Sequence, residues 1–215
     1  MNATPRNISV KKTARYFVSG SISDKVESVW FVLHGYGQLA EDFINNFEPI
    51  ASDSVLIVAP EALNRFYLKS YKGKMGATWM TKIERENEMM DYTNYLNALY
   101  NEIIHQSNLK NVKVTVFGFS QGTATACRWL VRSDVKVDRF ILWGGAIPPD
   151  VDLETNREII NRLNPTLVIG DTDEFIPEFL IQQELKRIEG LNLKFDLKRF
   201  SGGHEIPPEV LLQIV

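Results

Sequence analysis

The sequence predicts an α/β protein: a mostly parallel sheet with helices on both faces and no large lid domain. Three observations carry this prediction. Apolar, largely β-branched runs at residues 28–33, 55–59, 112–117, 140–143 and 166–169 read as strands, several of them covered on both faces. Stretches with apolar residues at helical spacing lie between them, the longest at 86–106. Strands that alternate with helices build a parallel sheet through crossovers, and the loops at the strands' carboxyl ends then converge on one site.

In chain order, residues 13–19 open with a strand centred on Tyr16, Phe17 and Val18, and a polar turn follows at 20–25. The run Ser-Val-Trp-Phe-Val-Leu at 28–33 is a buried strand ending in His34-Gly35-Tyr36-Gly37. Phe43, Ile44, Phe47 and Ile50 make 41–51 a short amphipathic helix, and strand 55–59 closes at Pro60. Residues 61–82 read as irregular, with Phe66, Tyr67, Tyr71 and Trp79 set among Arg65, Lys69, Lys72 and Lys74. The long helix 86–106 carries Met89, Met90, Leu96, Leu99, Ile103 and Ile104 on its apolar stripe. Strand 112–117 then leads into Gly118-Phe119-Ser120-Gln121-Gly122 and a helix to about residue 133. Strand 140–143 ends at Gly144-Gly145, 153–163 is helical, and 166–169 is a strand. A helix begins with Pro177 in its first turn and runs to 188, 193–200 is the last strand, and Pro208 starts a closing helix. No repeat, low-complexity segment or linker interrupts this order, so residues 1–215 read as one domain.

Composition removes several function classes. A chain of 215 residues with 44% hydrophobic content buries a full core, and a net charge of −3 with no basic stripe argues against a nucleic-acid partner. No stretch approaches the length of an integral membrane segment, and the first residues lack the apolar run of a signal peptide. Cys127 is the only cysteine, which points to a reducing compartment and a cytoplasmic protein, with the thiol packed on a helix face. The three histidines are far apart and lack a carboxylate or thiol cluster, so no metal or other cofactor is expected. No glycine-rich nucleotide-binding pattern follows any strand, which weakens a nucleotide-binding module.

The chemistry gathers at Ser120. A serine between two glycines, after a strand and before a helix, sits on a tight turn that lifts its hydroxyl clear of the backbone and beside helix N–H groups. The alternative is a plain Gly-Ser turn joining strand to helix. A serine nucleophile needs an imidazole base and an acid to hold it. His105 reads as solvated at the end of the long helix, and His34 either ties down the first glycine-rich loop or takes part in chemistry. His204 lies in Ser201-Gly202-Gly203-His204 after a strand and is the candidate base, a surface turn being the alternative. Gly170-Asp171-Thr172-Asp173-Glu174 offers three carboxylates. Asp173 is favoured as the acid, Asp171 as a turn cap and Glu174 as a solvent-facing residue. An oxyanion hole would take the N–H of Gln121 and a second N–H, that of Tyr36, from the loop after an early strand.

With these pieces in place, the chain resembles the phospholipase/carboxylesterase family of α/β-hydrolases, which includes acyl-protein thioesterases. The matching stretches are Leu33-His34-Gly35-Tyr36-Gly37, the Gly118–Gly122 pentapeptide, Gly170-x-x-Asp173-x-x-Ile176-Pro177 and Gly203-His204. The resemblance implies a Ser120–His204–Asp173 triad, oxyanion donors at Tyr36 and Gln121, and cleavage of small carboxylic esters or thioesters through an acyl-enzyme without a cofactor. Thr123 stands where the family usually has a second glycine, Ile169 replaces a histidine, and Trp79 is followed by Met80-Thr81 without the usual acid. Trp79, Met80 and Phe175 are the expected pocket residues, with the lysines of 61–82 drawing an anionic leaving group; a surface hairpin that only covers core is the alternative. Two further readings are a non-catalytic binding protein of the same fold and a dienelactone-hydrolase-like enzyme, the latter disfavoured by serine rather than cysteine at position 120. The oligomeric state is not legible.

Overall fold

The computed structural model describes residues 3–107, 109 and 111–215. A seven-stranded sheet organises it, built from β1 (Tyr16–Ser19), β2 (Ser28–Leu33), β3 (Val55–Pro60), β6 (Lys113–Phe119), β7 (Arg139–Trp143), β8 (Thr166–Gly170) and β9 (Asp196–Phe200), in the spatial order β1-β3-β2-β6-β7-β8-β9. Only β1 runs antiparallel, pairing Tyr16 with Pro60; every other neighbour is parallel, as in Ser28 with Val55 on one side and Lys113 on the other.

The strands are apolar on both faces because both faces are covered. Successive side chains point to opposite sides, so Val29, Phe31 and Leu33 of β2 join one core while Trp30 and Val32 join the other. Helices α2 (Arg85–Tyr100), α3 (Gln121–Val131), α4 (Arg157–Leu163) and α5 (Glu178–Gly190) fill the first face with Met89, Leu96, Trp129, Ile160 and Ile181. The second face is closed by Phe43 of α1 (Ala40–Phe43), by Phe47 and Ile50 of a 3-10 segment (Ile44–Ile50), and by Leu211 of α6 (Pro208–Leu212).

Several local expectations change. The helix expected over 41–51 is one α-turn followed by the 3-10 segment, because Pro49 lies inside it and lacks the N–H an α-helix would use. The long helix passes into a π-turn over Asn101–Gln106. The region 61–82 is not irregular: β4 (Asn64–Tyr67) and β5 (Met75–Thr78) form an antiparallel hairpin pairing Asn64 with Thr78. Strand 13–19 shortens to Tyr16–Ser19, 193–200 to Asp196–Phe200, and helix 153–163 to Arg157–Leu163.

Candidate active site

The turn between β6 and α3 has the geometry expected of an exposed nucleophile. Ser120 has φ 54° and ψ −117°, a conformation that non-glycine residues rarely adopt. The turn is fixed by the Ser120 N–H donating to Trp143 O at 2.9 Å and the Thr123 N–H donating to Ser120 O at 3.0 Å. Its flanking glycines are required by close approach: a Cβ at Gly118 would lie 2.6 Å from Thr123 Cα, and one at Gly122 would lie 2.2 Å from Leu33 O. Thr123 adds a tether of its own, its hydroxyl donating to Gly118 O at 3.0 Å.

Of the three carboxylates after β8, Asp173 is the one that meets an imidazole. It is buried, and its Oδ2 lies 2.7 Å from His204 Nδ1 while its Oδ1 accepts the Phe175 N–H at 2.9 Å. Asp171 is exposed, with a carboxylate oxygen 3.7 Å from Arg199, and Glu174 is exposed. With Nδ1 turned to the carboxylate, His204 Nε2 is the nitrogen left for proton transfer. The imidazole lies between Phe119 and Phe175, each ring centroid 4.8 Å away, and Phe119 directly precedes Ser120. Gly144, next to the Trp143 carbonyl that anchors Ser120, is also at the ring: a Cβ there would lie 3.1 Å from His204 Cε1. The Ser120 hydroxyl makes no hydrogen bond to His204 among the described residues; such bonds are often long until substrate binds.

The loop after β2 faces the serine, since a Cβ on Gly35 would lie 3.1 Å from Ser120 Cβ. Among the described residues, neither the Tyr36 nor the Gln121 N–H donates to a protein acceptor outside its own element. His34 is fully buried and ties this loop down. Its Nδ1 lies 2.8 Å from Gly35 O and its Nε2 accepts the Ala62 N–H at 3.1 Å, so the proton sits on Nδ1. Burial lowers its pKa to about 4, keeping the ring neutral. His105 is exposed, and Cys127 is buried on α3 with its thiol pKa pushed up by burial.

The expected pocket residues divide. Phe175 is 66% exposed against His204 and borders the site. Trp79 does not line a pocket: it is 1% exposed, and its Nε1 donates to His34 O at 2.9 Å, so it is a core residue behind the loop. Met80 is half-buried, its sulfur 3.4 Å from Arg128 Nη1, where Arg128 makes a bidentate pair with Asp150 at 2.8 and 2.6 Å. Sequence reasoning missed the Gln121 side chain, the Thr78 hydroxyl and this Arg128–Asp150 pair, because none has a local signature. A groove of about 1170 Å³ between the N-terminal arm and α2 contains none of the site residues. Among the described residues no cluster of His, Cys, Asp and Glu is arranged to hold a metal, and no helix is long and apolar enough to cross a membrane.

Comparison with known proteins agrees with this architecture. Esterase PE8 superposes with a TM-score of 0.71 at 22% identity, over 95% of this chain and 100% of that one. The acyl-protein thioesterase 2 of Zea mays gives 0.73 at 16% identity, covering 94% and 96% of the two chains. A carboxylesterase from Mesorhizobium loti gives 0.69 at 16% identity, covering 94% and 93%. At these identities the likeness is one of fold. No curated protein sequence gives a match. The phospholipase/carboxylesterase family profile spans residues 16–215, nearly the whole chain, so the protein belongs to that family of α/β-hydrolases and is a hydrolase.

Proposed function

We propose that this protein is a serine hydrolase that cleaves small carboxylic esters or thioesters through a covalent acyl-enzyme, with Ser120, His204 and Asp173 as its triad. The observation that carries the reading is the buried Asp173–His204 pair, 2.7 Å apart, packed on the residue preceding a strained serine. Ser120 Oγ attacks the carbonyl carbon as His204 Nε2 takes its proton. Asp173 holds the tautomer and stabilises the imidazolium that forms. The carbonyl oxygen, now an oxyanion, is met by the N–H groups of Tyr36 and Gln121 at the start of α3. The intermediate collapses, the leaving alcohol or thiol takes the proton from His204, and acyl-Ser120 remains. Water, deprotonated by His204, then attacks the acyl carbon and releases the acid. No cofactor enters this scheme. With its one cysteine buried, the protein suits a reducing cytoplasm, where it works as one domain.

Backbone strain at Ser120 favours the enzyme over a binding protein of the same fold, because such strain persists where function uses it. A fluorophosphonate probe tests this. Wild type is expected to be labelled and to hydrolyse p-nitrophenyl esters; Ser120→Ala is expected to lose both while remaining folded. Labelling or ester turnover that survives in Ser120→Ala overturns the proposal.

A further inference from the structure

The β4–β5 hairpin is bonded to both loops from which the oxyanion donors come. On the side of Tyr36, the Gly37 N–H donates to Ala77 O at 2.8 Å and the Ala77 N–H donates to Gln38 O at 3.2 Å. The two backbones touch so closely that a Cβ on Gly76 would lie 2.5 Å from Gly37 O. Trp79 adds the bond from its indole to His34 O. On the side of Gln121, the side-chain amide reaches the end of β5. Its Oε1 accepts the Trp79 N–H at 3.1 Å, and its Nε2 donates to Met80 O at 3.1 Å and to Thr78 Oγ1 at 2.9 Å. A backbone N–H only donates and a carbonyl only accepts, so these partners fix the orientation of the amide. The Thr78 hydroxyl is buried and donates to Met80 O at 3.0 Å.

The two donors therefore follow different strands, Tyr36 in the loop after β2 and Gln121 opening α3 after β6, and residues 76–80 bridge them. The Tyr36 loop closes on itself through the Gly35 N–H donating to Gln38 Oε1 at 2.8 Å, and the hairpin is what ties that turn to the elements beside it. An oxyanion hole works only when both N–H groups lie within about 2.7–3.1 Å of the developing charge. We propose that Thr78 and the side chain of Gln121 are positioning residues that set the spacing of the two oxyanion donors through this hairpin. The assignment rests on the serine-hydrolase reading above. A hydrogen-bond network that serves only stability would lower the melting temperature without separating kcat from KM.

Thr78→Val removes the bridging hydroxyl at almost constant volume, and Thr78→Ser restores it. With a p-nitrophenyl ester, Thr78→Val is expected to lose about 5- to 20-fold in kcat with KM nearly unchanged, the pattern of a lost transition-state interaction. The inhibition constant of a trifluoromethyl ketone, which mimics the tetrahedral adduct, is expected to rise by the same factor, and Thr78→Ser to recover both. Gln121→Ala is expected to lose more, because both halves of the clasp go. Thr78→Val and Thr78→Ser carry the decision if Gln121→Ala does not fold. A folded Thr78→Val with kcat and ketone affinity unchanged, or with its loss in KM alone, overturns the proposal and leaves the triad standing. Wild type without Ser120-dependent probe labelling overturns both.

Discussion

His34 makes stability depend on pH in a way that can be worked out from the structure. The ring is fully buried, donates from Nδ1 to Gly35 O and accepts at Nε2 from Ala62, and its pKa falls from 6.5 to about 4. The folded pKa lies below the unfolded one, so between them the unfolded chain binds more protons and stability falls as pH falls. At about pH 7 the effect is small, since neither state is appreciably protonated. At about pH 5 the unfolded imidazole is almost fully charged and the folded one about one-tenth charged, which costs about 2 kcal/mol; the full loss, reached below the folded pKa, is about 3 kcal/mol. The carboxylates titrate in the same range, so the measurement is a difference between two proteins. His34→Gln keeps a polar group in place but has nothing to titrate. Urea unfolding followed by tryptophan fluorescence should show wild type losing about 2 kcal/mol more than His34→Gln between about pH 7 and about pH 5, whatever the variant costs at neutral pH. Parallel losses in the two proteins would refute the argument that His34 is held neutral.

In the proposed triad Asp173 holds the His204 tautomer, so Asp173→Asn is expected to lower kcat by about four orders of magnitude; activity within tenfold of wild type would exclude Asp173 as the acid. Trp79→Phe loses the indole bond to His34 O and should cost about 1 kcal/mol in urea unfolding, while preference among ester chain lengths stays the same because the ring is buried. A changed chain-length preference would return Trp79 to the pocket. Residues 62–83 carry five cations, Arg65, Lys69, Lys72, Lys74 and Lys82, and no acid, in a chain of net charge −3. The kcat/KM of an anionic ester should therefore fall with added salt while that of a neutral ester holds steady; equal salt dependence would mean the hairpin does not steer substrate.

The parallel core was legible in the sequence because β2, β3, β6 and β8 are buried on both faces and read as continuous apolar runs. The candidate site residues left a different kind of trace. Gly118 and Gly122 are required by close backbone approach, to Thr123 and to Leu33, and with Ser120 between them they leave a pattern in adjacent letters. Asp171 and Asp173 both fall between the serine and the histidine in the chain, so order alone does not separate them; the contact that does, with His204, lies thirty-one positions away. The hairpin was not legible. Its strands are four residues each and expose part of their surface, so they lack a strong alternation. The role expected for Trp79 failed because aromatic composition does not say which side of a loop a ring occupies. The bonds from Gln121 to residues 78–80 link side chain and backbone across about forty positions, and no local spacing encodes them.

The proposed nucleophile, Ser120, and its proposed base, His204, stand on footings of unequal strength. Ser120 follows β6, which is flanked by β2 and β7 at the middle of the sheet, whereas His204 follows β9, an edge strand that among the described residues pairs only with β8, with Asp196 to Arg199 exposed. Fraying of that margin reaches Trp143, which packs on Phe200 and donates to Glu205 O, but leaves Trp30, Trp79 and Trp129 packed in the central layers. On gradual warming, catalysis should therefore fade before the main fluorescence transition, and ligands that grip the acid and histidine loops should bring the two midpoints together.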